Sequence, residues 1–162
     1  MFTTRKAQYI RGKALTNRIY GLQEVHKWSS QDVNIALSVL DDALPIALHN
    51  VAFEPVFRLQ ASPELLSKYA SAITSRAILG CYLQTELAHG TNVNCLETTA
   101  TYTPETCEFN LHSPTLTSTK WWIGALGKTA THGVVQAKVI LPGGKDMGPH
   151  LFFIQLRSLG KR

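Results

Sequence analysis

The chain has 162 residues, of which 44% are hydrophobic and 17% are charged, and its formal net charge is +5. This length is enough to bury a core in one domain or two small ones, and the composition is that of a globular protein rather than a disordered chain. The positive charge suits anionic partners such as phosphate groups without indicating nucleic acid. Because no run of about 18 apolar residues is present, we expect no membrane span.

The first part of the chain is helical in pattern. Apolar residues recur at steps of three and four on either side of Ile19, which predicts a first helix. Ser29 is followed three positions later by Asp32, and this spacing is typical of a capping box at the start of a second helix.

Two further helices are predicted before the middle of the chain. Apolar residues in 44–53 have helical spacing, and we expect this helix to end at Pro55, because proline lacks an N–H group and disfavours helix at the residue before it. Ser62 and Pro63 then supply an N-cap hydroxyl and a fixed φ angle, which predict the start of the next helix.

Beyond Arg76 the hydrophobic period changes from about 3.6 to 2, which indicates a change from helices to strands. We therefore predict a domain boundary there, with a helical domain at 1–76 and a β-domain at 77–162. The predicted fold class is α+β, with an N-terminal helical segment followed by an incomplete antiparallel β-sheet or barrel. The predicted β segments are a strand at 77–84, a hairpin of 97–102 with 107–112, and a second hairpin of 135–141 with 151–157.

Two segments carry more polar or aromatic character than their predicted secondary structure requires. In 82–91, backbone N–H donors and threonine hydroxyls lie together just after the predicted end of a strand. This arrangement is suited to binding a polar heteroaromatic edge or a phosphate. In 120–127, two adjacent tryptophans present a flat surface beside small residues, which leaves room for a flat ligand. The alternative is that the threonines only cap a loop and the tryptophans only fill the core.

Other motifs are weak. Gly127, Lys128 and Thr129 resemble the end of a phosphate-binding P-loop, but Trp122 stands where that motif requires its first glycine. The six histidines never adopt a metal-ligand spacing, so we predict no metal site.

Three longer stretches resemble a known family. Residues 82–93 (YLQTELAHGTNV), 96–102 (LETTATY) and 113–122 (SPTLTSTKWW) closely resemble the flavin-binding part of peroxisomal acyl-CoA oxidases, in the acyl-CoA dehydrogenase/oxidase superfamily. The resemblance implies a fold of acyl-CoA dehydrogenase type, in which FAD is held between a helical domain and a β-domain.

The resemblance also implies a set of site residues. Related dehydrogenases carry a hydroxyl residue where Gly124 stands, so the resemblance implies space beside the flavin ring for molecular oxygen and disfavours a dehydrogenase. Thr91 occupies the position that contacts the substrate near its pantetheine or phosphate portion. The implied cofactor-binding residues are Tyr82, Gln84, Thr85, Trp122 and Gly124.

The implied function is FAD-dependent 2,3-desaturation of a fatty acyl-CoA, with electrons passed to O2 to give H2O2, as the first step of peroxisomal fatty acid β-oxidation. A homodimer and a peroxisomal location are implied in the same way. No acid in the chain matches the family's catalytic base, so we assign no catalytic residue and expect this chain to be a fragment that is inactive alone. The alternative is a non-catalytic, oxidase-like interaction or regulatory fragment.

Three other residues lie in or near these motifs. Ala88 stands where the family usually has glycine, so a positive φ angle there would strain the loop. Glu86 and Glu97 are acids close to the implied cofactor site, and we expect them to have structural roles.

Overall fold

The computed structural model describes residues 3–40, 42 and 44–158. The chain forms two compact units, Met1–Ala47 and Leu48–Arg162. The boundary predicted after Arg76 lies within the second of these units, and the division into a helical domain and a β-domain stays a prediction. Among the described helices, none combines the length and the apolar composition that a membrane crossing requires.

The first unit contains the helices α1, Arg5–His26, and α2, Ser30–Ser38. The side chain of Thr4 caps α1 by accepting an N–H from its first turn. The capping box of α2 is confirmed, because the Ser29 hydroxyl accepts the N–H of Asp32 at 3.2 Å and the Asp32 carboxylate accepts the N–H of Ser29 at 2.8 Å.

The second unit begins with a π-helical turn, His49–Phe53, which continues into α3, Glu54–Gln60. The prediction that Pro55 ends the helix is wrong. The wide π turn shifts the hydrogen-bond register and places the proline in the first turn of α3, where its missing N–H costs no helical bond. The predicted N-cap of the next helix is confirmed: α4 spans Pro63–Thr74, and the Ser62 hydroxyl accepts an N–H of its first turn.

The described strands form one mixed sheet around β4. Strands β2 and β3 form an antiparallel hairpin, and β4 and β5 form another, which confirms both predicted hairpins. In contrast, β1 and β2 both run parallel to β4, beside its first and last parts respectively. The strands are β1, Gly80–Leu83; β2, Thr99–Thr103; β3, Glu108–His112; β4, His132–Leu141; and β5, Lys145–Gln155.

The α+β prediction is confirmed, but the described sheet is mixed rather than wholly antiparallel, and it is not closed. Short turns can join antiparallel neighbours, whereas parallel neighbours need a long connection. Residues 84–131 form this connection between β1 and β4. They carry the hairpin of β2 and β3 together with the loops of the candidate site.

The core of the second unit lies where α3 and α4 pack on the sheet. Its aromatic centre includes Phe53 and Phe57, and the Phe57 ring lies 5.1 Å from the ring of Phe153 on β5. Gly80 is required at the start of β1, because a Cβ atom there would lie 2.2 Å from the Phe53 ring. The buried members of this cluster are Phe53, Phe57, Ile73, Ile78 and Val134.

Candidate functional site

The two segments singled out in the sequence lie side by side. The N–H of Trp121 donates to the carbonyl of Thr85 at 2.9 Å, and the N–H of Leu87 donates to the carbonyl of Thr119, also at 2.9 Å. A further bond joins Ala88 to the same strip of backbone. The polar loop after β1 is therefore fixed against the segment that leads into the paired tryptophans.

A buried ion pair joins these two segments through their side chains. The Lys120 Nζ atom lies 3.0 Å from Glu86 Oε1, and Glu86 is only 1% exposed. The Glu86 carboxylate also accepts the backbone N–H groups of Glu97 at 2.7 Å and Thr98 at 3.0 Å. Burial raises the pKa of Glu86, but these N–H donors and Lys120 outweigh it and hold that pKa below its usual range.

Lys120 also contacts backbone carbonyls, in addition to its carboxylate partner. Its Nζ atom also donates to the backbone carbonyl of Gln84 at 3.1 Å and to that of Gln136 on β4 at 2.7 Å. The ammonium group therefore ties the loop to the sheet. The expected structural role of Glu86 agrees with these contacts, whereas Lys120 was not among the residues predicted to have a role.

The structure brings the first three implied cofactor residues together at the end of β1. The Tyr82 hydroxyl donates to Gln84 Oε1 at 3.1 Å, and burial raises the pKa of Tyr82. Thr85 follows directly and is bonded through its carbonyl to the tryptophan segment. Gln84 is thus held by both its side chain and its backbone.

The paired tryptophans are exposed. Trp121 is 51% exposed and Trp122 is 86% exposed, so neither fills the core. Trp122 also has a left-handed backbone, with a φ angle of 70°, which is rare for a bulky residue. A Cβ atom at Gly124 would lie 3.4 Å from Leu48 Cδ2, which is ordinary contact.

The remaining implied residues lie on the outer part of the loop. Thr91 is exposed, and its carbonyl accepts the N–H of Val93 at 3.0 Å. The structure does not give Ala88 a positive φ angle, so the strain considered for that position does not arise.

The structure brings together a group of potential metal ligands. Their spacing in the sequence did not indicate this group. Single ligand atoms of Glu86, His89 and Glu97 all lie within 4.8 Å of one another. However, the Glu86 carboxylate is already bonded to Lys120 and two N–H groups, and the Glu97 carboxylate accepts the hydroxyls of Thr115 and Thr117. We assign no metal to this group, because its carboxylates have other partners.

Comparisons with known proteins identify the family. Acyl-coenzyme A oxidase acox-1.4 of Caenorhabditis elegans is 52% identical over 114 residues, which are 70% of this chain and 17% of the relative. Putative peroxisomal acyl-coenzyme A oxidase 1.2 of Arabidopsis thaliana is 45% identical over 145 residues, which are 85% of this chain and 22% of the relative. No family model matches the chain.

A solved structure gives the same result. Acyl-CoA oxidase-1 of Caenorhabditis elegans, complexed with FAD and ATP, superposes with a TM-score of 0.87 at 38% identity, covering 97% of this chain and 24% of that one. The chain thus spans about a fifth of the length of the curated relatives that it matches, 17% and 22%. It belongs to the acyl-CoA oxidase family, of which it represents a partial region.

Proposed function

We propose that this chain supplies one wall of the flavin site of an FAD-dependent acyl-CoA oxidase. The observation that carries the proposal is Trp122, a large apolar side chain that is 86% exposed and held in a left-handed conformation. Unusual backbone conformations of this kind concentrate at ligand sites, and an exposed indole offers a flat apolar face.

The residues beside Trp122 fit the polar and apolar parts of a flavin. Gln84 and Thr85 would bind the polar edge of the ring, with Tyr82 orienting the Gln84 side chain through its hydroxyl. Trp122 would cover the ring, and Gly124 would leave space beside it. FAD supplies hydride acceptance and the transfer of electrons onward to oxygen.

Gly124 is the residue that we connect with the oxidase reaction. Its nearest neighbour for an added Cβ atom is the Leu48 side chain, so the space at this position is bounded by an apolar group. Such a space would admit molecular oxygen, with release of H2O2 as the product.

The substrate would be a fatty acyl-CoA, desaturated between carbons 2 and 3. Thr91 is the proposed contact for the pantetheine or phosphate portion, and the net charge of +5 is compatible with the phosphates of CoA. The solved acyl-CoA oxidase-2 of Caenorhabditis elegans is bound with FAD, ascaroside-CoA and ATP. A homodimer and a peroxisomal location are proposed from the family, and no residue of this chain is assigned as the catalytic base.

Replacing Trp122 tests the flavin site directly. We expect Trp122→Leu to weaken FAD binding by about tenfold, because it removes the aromatic contact with the ring. Folding should be unaffected, since the side chain is exposed. The measurement is calorimetric titration of the chain with FAD.

The matched control is Trp28→Leu, a tryptophan on the other compact unit. It should leave FAD affinity unchanged. Equal affinities in the wild type, Trp122→Leu and Trp28→Leu would contradict the proposed site. Because we expect this chain to be inactive alone, the flavin absorbance of the purified chain, and not peroxide release, separates a flavin-binding oxidase region from the non-catalytic alternative.

A further inference from the structure

A buried histidine binds the first residue of β1. His49, in the π-helical turn, is 1% exposed, and its Nδ1 atom accepts the N–H of Gly80 at 3.0 Å. An imidazole that accepts at Nδ1 is neutral and carries its proton on Nε2. The bond therefore exists only while His49 is uncharged.

The surroundings of His49 favour the neutral form. Its ring is buried beside the ring of Phe53, 5.4 Å away, and this burial outweighs the Glu54 carboxylate, whose Oε2 atom lies 3.7 Å from His49 Nε2. Burial lowers the pKa of His49 and the charge of Arg76 adds to this, whereas Glu54 and the Ile73 backbone act in the opposite direction. The Glu54 carboxylate also has a second partner, because the Nε atom of Arg58 donates to Glu54 Oε1 at 2.9 Å.

The bond lies close to the candidate site. β1 is only four residues long, Gly80–Leu83, and Gln84 and Thr85 follow it directly. A shift at Gly80 is therefore transmitted through one short strand to the residues proposed to bind the flavin edge.

We propose that His49 is a positioning residue, whose neutral imidazole fixes the start of β1 and whose protonation releases Gly80 and loosens the flavin site. The inference rests on the proposed function for its second part. The first part, the bond between His49 and Gly80, is independent of any ligand.

The direction of the pH effect follows from the lowered pKa of His49. The folded protein binds this proton less readily than the unfolded chain does. The stabilisation is therefore fully present above about pH 6.5, where a free histidine titrates, and is lost as the pH falls through the lower folded value. His132 is a second buried histidine whose pKa is lowered by burial, so variants at position 49 are needed to separate the two.

Two variants distinguish the effect of the hydrogen-bond acceptor at position 49 from the effect of its charge. In His49→Asn, the amide oxygen replaces Nδ1 as an acceptor but does not titrate, whereas His49→Leu removes the acceptor. The measurement is the hydrogen-exchange protection factor of the Gly80 amide by NMR at about pH 7.5 and about pH 5, on either side of the histidine range.

We expect the wild-type protection factor to fall by about tenfold at the lower pH. It should stay high at both values in His49→Asn and be low at both in His49→Leu. A wild-type protection factor that does not change with pH, or a protected Gly80 in His49→Leu, would overturn the inference.

FAD titration of the same three proteins tests the second part. FAD affinity that falls with the protection of Gly80 supports the positioning role. If FAD binds but its affinity is independent of pH and of both substitutions, the positioning role is overturned while the flavin site stands. If FAD binds to none of the three, the proposed function fails and the second part of the inference fails with it, while the hydrogen-exchange measurement alone decides the first part.

Discussion

Glu86→Leu should lower the free energy of unfolding by about 3–5 kcal/mol, the usual cost of removing one partner from a buried ion pair. The substitution leaves the ammonium group of Lys120 without its carboxylate, and it leaves the N–H groups of Glu97 and Thr98 without their acceptor. The measurement is urea denaturation of the chain followed by circular dichroism.

A matched pair of lysine substitutions provides the control. Lys120→Met removes the buried partner of Glu86, whereas Lys138→Met removes a lysine whose Nζ atom lies 3.9 Å from Asp146 in a more exposed pair. The second substitution should change stability by less than about 1 kcal/mol. Similar small effects for Glu86→Leu, Lys120→Met and Lys138→Met would show that the buried pair does not hold the two segments together.

Gly80→Ala should destabilise the chain by about 3 kcal/mol or more, at the upper end of the cost of overpacking. The added Cβ atom would lie 2.2 Å from the Phe53 ring, and that ring is fully buried and packed against other aromatic side chains. The measurement is again the free energy of unfolding in urea.

Gly127→Ala is the control for this prediction, because a Cβ atom there would have no described atom beyond its chain neighbours within 4 Å. It should leave stability nearly unchanged. A partial recovery is expected when Gly80→Ala is combined with Phe53→Leu, since the smaller side chain makes room. Equal stability of Gly80→Ala and Gly127→Ala would contradict the close packing described at the start of β1.

Local signals in the sequence predicted much of the fold. The cap formed by Ser29 and Asp32 and the Ser62 cap each fix a helix start through hydrogen bonds between near neighbours. The two hairpins join strands that are close in sequence. Features of this kind depend on a few adjacent residues, so a single sequence reveals them.

Features that depend on distant residues were not predicted. The parallel pairing of β1 and β2 with β4 joins strands far apart in the chain, and alternation of apolar residues does not reveal which strands pair. One local feature was not predicted either, because the continuation of the helix through Pro55 depends on a π turn, which has no simple sequence signature.

The candidate site was predicted in part. The polar and aromatic character of 82–91 and 120–127 selected the two segments that the structure places side by side, but neither this character nor the family resemblance identified Lys120 or His49. A signal for the ion pair was present: Glu86 is the only Asp, Glu, Lys or Arg in 77–96, and Lys120 is the only one in 109–127. Isolated opposite charges in two otherwise uncharged stretches are candidates for a buried pair.

The loop after β1 and the tryptophan segment should form two walls of one flavin site, and the proposed function depends on this arrangement. A crystal structure of the chain with FAD tests it most directly. We predict that the isoalloxazine ring contacts both Thr85 and the Trp122–Gly124 segment in a single cleft. A flavin bound away from either segment, or no bound flavin at saturating FAD, would contradict it.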